Sequence, residues 1–253
     1  MLESEMSGES EKLTAEEEVT INAFASRWFR NQADRDYIVA RMCYRNRLVN
    51  NFNWSALQAI EKYLKAIFLY HRVFVDDISH NLDALVKKLP ELPFDLQLTE
   101  VAMKFISYTN AVGMNRYLER PYFTYGPKLM ELDRCIWEVR RFCRVWNPAY
   151  TRDPDEAASI LEQELHEVQN ANPEHPELIR LAGGYLEQLL DDKKHPARAQ
   201  LIWQNAYFAL RKRHTISIPL YSEAENPPQI HYPEVIEQVQ KYVKVPKELK
   251  KLR

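Results

Sequence analysis

Four polar side chains at three- and four-residue spacing, Gln58, Glu61, Lys62 and Lys65, are placed to do chemistry together. On a helix that spacing sets them along one stripe. The lysines offer point charges to phosphates, and Gln58 can hydrogen-bond a nucleobase. His80, brought alongside, would complete a polar groove. Gln58, Glu61, Lys62, Lys65 and His80 therefore form the candidate ligand-binding set. The plainer alternative is that Glu61 and Lys65, four apart, make an ordinary surface pair worth about 0.2–0.5 kcal/mol.

Other reactive residues carry less. His71, Asp76, Asp77 and His80 gather in one short stretch with metal-ligand residue types. Two aspartates ahead of a helix also favour its dipole, so they are read as a capping feature and no metal is expected. The chain has no Gly-rich phosphate loop, no Gly-x-Ser-x-Gly, no His-x-x-x-His and no Cys-x-x-Cys. Around residues 116–125, Arg116, Tyr117, Arg120, Tyr122, Phe123 and Tyr125 alternate arginine with aromatics. That composition can stack bases, and it is equally the composition of protein interfaces. Arg134, Arg140, Arg141 and Arg144 suggest a basic ridge, but Glu131, Asp133 and Glu138 interrupt it, so it reads as a solvated face.

The elements that must position these residues are helical. Trp54, Leu57, Ile60, Leu64, Ile67 and Phe68 fall at helical spacing over residues 53–72, and Ala56, Ala59, Tyr63, Ala66 and Tyr70 widen the apolar face. A helix apolar over most of its circumference is buried on two sides, which puts it at the centre of a bundle. A join at residues 50–53 leads back to a helix over 33–48. Before that comes one over 14–31, with Thr14 as N-cap and three glutamates in its first turn. Downstream, Ser79 caps a helix that Pro90 and Pro93 end, and a helix over 99–112 stops at Gly113. A loop over 114–126 precedes a helix that opens at Pro127 and runs to Trp146, where Asn147-Pro148 marks a boundary. Helices are expected over 154–170, 176–190, 197–213 and 233–243, with an irregular linker over 219–228 and a basic tail from Lys244.

The bulk composition agrees with an all-α chain. It has 253 residues, 45% hydrophobic, with 5 glycines. Net charge is -2, too small to imply a field toward nucleic acid or membrane. Residues 1–18 hold seven acidic side chains and one lysine, so the remainder carries a net +4. The expected organisation is a disordered acidic tail over 1–14, a helical bundle over 15–146 and a helical extension over 147–253. The composition of the extension leaves open whether it shares the bundle's core. Three cysteines form no pairing motif, the N-terminus lacks an apolar leader, and no stretch approaches the ~18 apolar residues of a membrane span. A cytoplasmic location follows as the expectation.

Ala33-Asp34-Arg35-Asp36-Tyr37 with Ala40-Arg41, then Gln58-Ala59-Ile60-Glu61-Lys62-Tyr63-Leu64-Lys65-Ala66, resembles the HEPN domain family. Ser79-His80-Asn81-Leu82 with Ala84-Leu85 is similar to the family's third helix, and Arg116-Tyr117-Leu118-Glu119 with the helix after it to its fourth segment. The resemblance covers roughly residues 20–146. It implies an antiparallel bundle of four to five helices that forms a homodimer. Members include metal-independent ribonucleases, partners of nucleotidyltransferases in toxin–antitoxin pairs, and nucleotide-binding modules. The ribonucleases carry an Arg, four to six residues, then a His, and no histidine here has an arginine at that distance. Arg72 and His80 come nearest, with seven residues between them.

Three readings follow. The first is a non-catalytic HEPN-like module, without cofactor, that binds a nucleotide, RNA or a partner protein such as a nucleotidyltransferase. The second is a metal-independent ribonuclease using Arg72 and His80. The third is a purely structural protein in which the aromatic loop, Tyr122 and Phe123, is the dimer interface.

Overall fold

The computed structural model describes residues 13–115, 120–144, 153–179, 184–208, 213 and 215–243. Residues 1–12 of the expected acidic tail, Arg116 to Glu119, Trp146 with the Asn147-Pro148 boundary, and the basic tail from Lys244 lie outside the described residues. So do the last residues of the helix expected over 197–213.

The chain enters through α1 (Ala15–Phe24). Thr14 and Glu17 make a reciprocal capping box. The Thr14 hydroxyl accepts from the Glu17 N–H at 3.3 Å, and the Glu17 carboxylate accepts from the Thr14 N–H at 2.8 Å. The break expected near residue 32 is absent. A π turn (Ala25–Arg30) joins α1 directly to α2 (Asn31–Arg45). No glycine or proline lies in this stretch to force an exit, and the wider turn rotates the following face so that Ala33, Tyr37, Ala40 and Tyr44 point inward.

The reversal falls at Asn46–Leu48, with Arg47 in the left-handed region (φ 59°). The central helix α3 (Val49–Tyr70) therefore starts four residues before the expected position. Its Ala56, Leu57, Ile60, Tyr63, Leu64, Ile67 and Phe68 are fully buried. Asn53, expected in the join, instead turns inward and accepts from the Tyr108 hydroxyl at 3.0 Å. Next come α4 (Leu82–Lys87), capped by Asn81 rather than Ser79, and α5 (Glu100–Val112), which Thr99 caps and which ends at Gly113 as expected. At the end of α5, Gly113 lies against α3: a Cβ there would sit 2.7 Å from Leu57 Cδ1.

Two segments expected as loop and linker are strands. β1 (Tyr122–Gly126) pairs antiparallel with β2 (Tyr221–Glu225), Tyr122 opposite Glu225 and Gly126 opposite Tyr221. α6 (Lys128–Arg140) lies between them in sequence and continues as a 3-10 turn (Arg141–Arg144). α7 (Pro154–Gln169) follows. Of the helix expected over 176–190, the described residues hold a short 3-10 turn (Pro176–Leu178) and α8 (Tyr185–Asp191). Where a long helix was expected over 197–213, the described part holds α9 (Arg198–Ile202). The final segment holds two one-turn helices, α10 (Pro228–His231) and α11 (Ile236–Val239).

The extension shares the bundle's core. Leu186, Leu189, Leu201 and Phe208 belong to the same buried cluster as α3 and α6. No described helix is long and apolar enough to cross a membrane.

Candidate functional site

The stripe on α3 is not a solvated one. The Glu61 side chain is only 6% exposed, because the chain after α3 folds back over it. Its carboxylate takes Lys65 Nζ at 2.8 Å and His80 Nδ1 at 2.8 Å, and the His80 backbone N–H donates to it at 3.4 Å. Burial acts against ionisation of Glu61, but the hydrogen bonds from Lys65 and His80 outweigh it and hold the carboxyl below its usual range. An ionised Glu61 accepts, so His80 Nδ1 carries the proton toward it, and in the neutral imidazole Nε2 is then the acceptor. Gln58 Nε2 lies 3.2 Å from the same Nδ1. With Nδ1 already a donor, the amide bonds well only when turned to present its oxygen. Trp54 stands beside the imidazole, ring centres 5.6 Å apart. His80 adopts a φ of 51°, an uncommon conformation for a non-glycine residue, held here by the Glu61 and Gln58 contacts.

His80 also opens onto a cleft of about 380 Å³, lined with Asn81, Asn110, Ala111, Met114, Asn115 and Arg120. The asparagines are committed to the fold. Asn81 accepts from the Ala84 N–H at 3.0 Å, and Asn110 accepts from the Leu82 N–H at 2.8 Å and donates to Asp83 at 2.7 Å. Asn115 exchanges two hydrogen bonds with the Arg120 backbone, 2.7 and 3.0 Å, and so fixes where the loop re-enters. The two ionisable residues of the lining are His80 and Arg120, and no carboxylate pairs with Arg120 among the described residues. Asn110 and Asn115 escaped sequence reasoning, since each looks like an ordinary polar residue near a helix end.

The remaining candidates go elsewhere. Lys62, counted with the stripe, points to α2 and pairs with Asp36 at 2.5 Å, so it is not in the groove. Arg72 caps the far end of α3. Its guanidinium holds the Glu18 carboxylate, the Asn22 amide oxygen at 3.0 Å and the backbone carbonyls of Leu69 and Tyr70. The nine helical steps from Glu61 to Tyr70 span roughly 13 Å and Arg72 lies beyond that end, so Arg72 and His80 are not brought together. His71 packs edge-on against Phe94. Among the described residues no group of three His, Cys, Asp or Glu is placed to hold a metal. The expected basic ridge dissolves: Arg140 and Arg141 are buried, Arg144 pairs with Glu164 and Glu167, and Arg134 pairs with Glu138. Tyr122 and Phe123 point to opposite faces of the ribbon, Tyr122 buried and Phe123 exposed.

A family model described as HEPN domain matches residues 26–148. That segment contains α2 through α6, and with it Gln58, Glu61, Lys65, His80 and Arg120. No curated protein and no solved structure matches.

Proposed function

From the premise that residues 26–148 form a HEPN domain, we propose that this one is a non-catalytic module that binds a nucleotide or RNA at the His80 groove and cleft. The family often acts in RNA binding or nuclease activity. The observation that carries the reading is the buried Glu61 carboxylate. It gathers Lys65 and His80 on one rim of the groove, and His80 in turn lines the cleft that Arg120 also lines. Gln58 shares the rim, and Lys62 is left out of it. A phosphate in the cleft would meet Arg120 as a cation, with Lys65 in the adjoining groove on the shared Glu61 carboxylate, and the His80 ring would hydrogen-bond the ligand beside Trp54.

One observation favours the ribonuclease alternative. A histidine whose Nδ1–H is held by a carboxylate presents Nε2 as an acceptor, the arrangement a general base needs. Against it, Arg72 is consumed by Glu18 and Asn22. A protein partner such as a nucleotidyltransferase, in the toxin–antitoxin manner, and a homodimer interface at Tyr122 and Phe123 are the remaining readings, and the exposed Phe123 ring is what supports them.

The test is a thermal-shift titration against ATP, GTP, nicotinamide dinucleotides and a short single-stranded RNA, with the RNA checked for cleavage. A ligand at a hundredfold over its Kd raises stability by about 2.7 kcal/mol. Stabilisation that disappears in Lys65→Ala and His80→Ala, with intact RNA, is the expected result. RNA fragments that vanish in His80→Ala would replace the binding reading with the nuclease one, and a flat titration would leave the protein-partner reading.

A further inference from the structure

The β1–β2 ribbon turns one face to the body and the other away from it. Tyr122 and Thr124 are buried, while Phe123 and Tyr125 are 60% and 63% exposed. The two exposed rings are parallel within 5°, their centres 6.3 Å apart. Across the ladder they meet Ala224 and Ser222, which are small, so nothing on the partner strand covers them. The acidic residues of β2 are on the other face, where the Tyr122 hydroxyl bridges Glu223 at 2.7 Å and Glu225 at 3.0 Å.

We infer that Phe123 and Tyr125 are a stacking platform for the bases of a single-stranded nucleic acid whose phosphate lies in the His80–Arg120 cleft. The inference rests on the binding reading of that cleft and extends its ligand from a mononucleotide to a strand. Three observations carry it. The first is continuity: Arg120 lines the cleft and stands three residues before Phe123, within about 10 Å along the chain. The second is a shared support. Thr124, between the two aromatics, hydrogen-bonds the Tyr108 hydroxyl of α5 at 2.7 Å, and α5 also supplies Asn110 to the cleft wall. The third is the order of chemistry. An arginine at the cleft followed by uncharged rings matches a phosphate followed by its base, and every base offers a π face. A second copy of this chain fits the platform less well. Two rings bring at most about 300–500 Å², against the ~800 Å² per partner of a specific interface.

The experiment measures binding of a labelled short oligoadenylate RNA, the DNA of the same sequence, and AMP to the full chain, with solution mass recorded alongside. The variant is the double Phe123→Leu, Tyr125→Leu, which removes the π faces and keeps apolar side chains on the strand. Tyr125→Phe serves as the conservative control. The expected result is an oligomer that binds wild type more tightly than AMP and binds the leucine variant about 5- to 150-fold more weakly per lost stack, with AMP binding, solution mass and the Tyr125→Phe protein unchanged. Tight binding of both RNA and DNA, or of RNA alone, supports the platform, the second adding a contact to the 2′-hydroxyl. Undiminished oligomer binding in the leucine variant overturns the inference. So does a fall in solution mass with binding intact, which would make the rings an interface between copies. If AMP binds wild type but the oligomer binds no tighter, the platform alone fails. If neither binds, the cleft reading fails with it.

Discussion

Glu61 decides the chemistry of the groove, and its titration makes that visible. Its folded-state carboxyl is held below the usual range, so its contribution to stability is complete above the ordinary value of 4.5. That contribution is lost as pH falls through the lower folded value. Glu61→Gln should therefore flatten this part of the acid limb of a stability-versus-pH curve, measured by urea unfolding at stepped pH. An unchanged limb would mean that the Lys65 and His80 contacts do not hold in solution. Lys62 provides the contrast on the same helix. Its pair with Asp36 is a quarter exposed, so Lys62→Ala should cost no more than about 1 kcal/mol and leave ligand binding as it is, whereas Lys65→Ala should weaken it. Equal losses of binding from the two substitutions would return Lys62 to the site. Sequence spacing could not separate these lysines. Positions 62 and 65 share a stripe, but which neighbour each meets depends on α2 and on the loop ahead of α4.

At the scale of elements, close contacts between segments set the tolerances. Gly113 lets the end of α5 press on Leu57 of α3. Gly113→Ala should destabilise by about 1–3 kcal/mol through overpacking, read as a fall in Tm of roughly 2–4 °C per kcal/mol. A neutral result would show that Leu57 can yield. Gly126 ends β1 at a φ of 93° with open space around it, so backbone strain alone opposes a side chain there. Gly126→Ala should cost about 1–2 kcal/mol and loosen the ribbon, visible as faster amide exchange at Thr124. The ribbon explains why element reading fell short at these two segments. The run Tyr-Phe-Thr-Tyr is rich in strand formers, but its partner lies about a hundred residues away in a segment that reads as linker, with no turn between them to announce a hairpin.

At the scale of the whole molecule, two buried arginines hold the extension to the bundle. Arg140 of α6 is bidentate to Glu187 of α8 at 2.7 Å and also binds Asp34 of α2 at 2.7 and 3.0 Å. Asp34 additionally accepts from the Tyr63 hydroxyl at 2.5 Å and from the N–H groups of Tyr185 and Leu186. Arg41 of α2 reaches Asp133 of α6 and the backbone carbonyls of Gln200 and Trp203. Removing Arg140 strands two buried carboxylates, so Arg140→Met should cost about 3–5 kcal/mol in urea unfolding. Arg140→Met with Glu187→Leu should recover part of that loss, because Asp34 keeps other donors. No recovery would mean that Asp34 dominates the penalty. A chain cut after residue 144 should likewise lose Tm or precipitate, since Leu186, Leu189, Leu201 and Phe208 leave an apolar face and two arginines uncovered.

The amino-acid sequence by itself determined the helical character of the chain, the central place of α3, the Thr14 cap of α1 and the Gly113 stop of α5. It also determined the residues that carry the HEPN resemblance. These rest on contacts three and four residues apart, which any single helix displays in its own periodicity. Only the tertiary structure decided that Glu61 is buried, that Lys62 pairs with Asp36 and Arg72 with Glu18 while Arg120 lines the cleft beside His80, that Arg140 faces inward, and that residues 122–126 and 221–225 pair. Each of these depends on a partner brought from a distant segment, and a polar side chain reads alike in sequence whether water or a buried counter-charge awaits it.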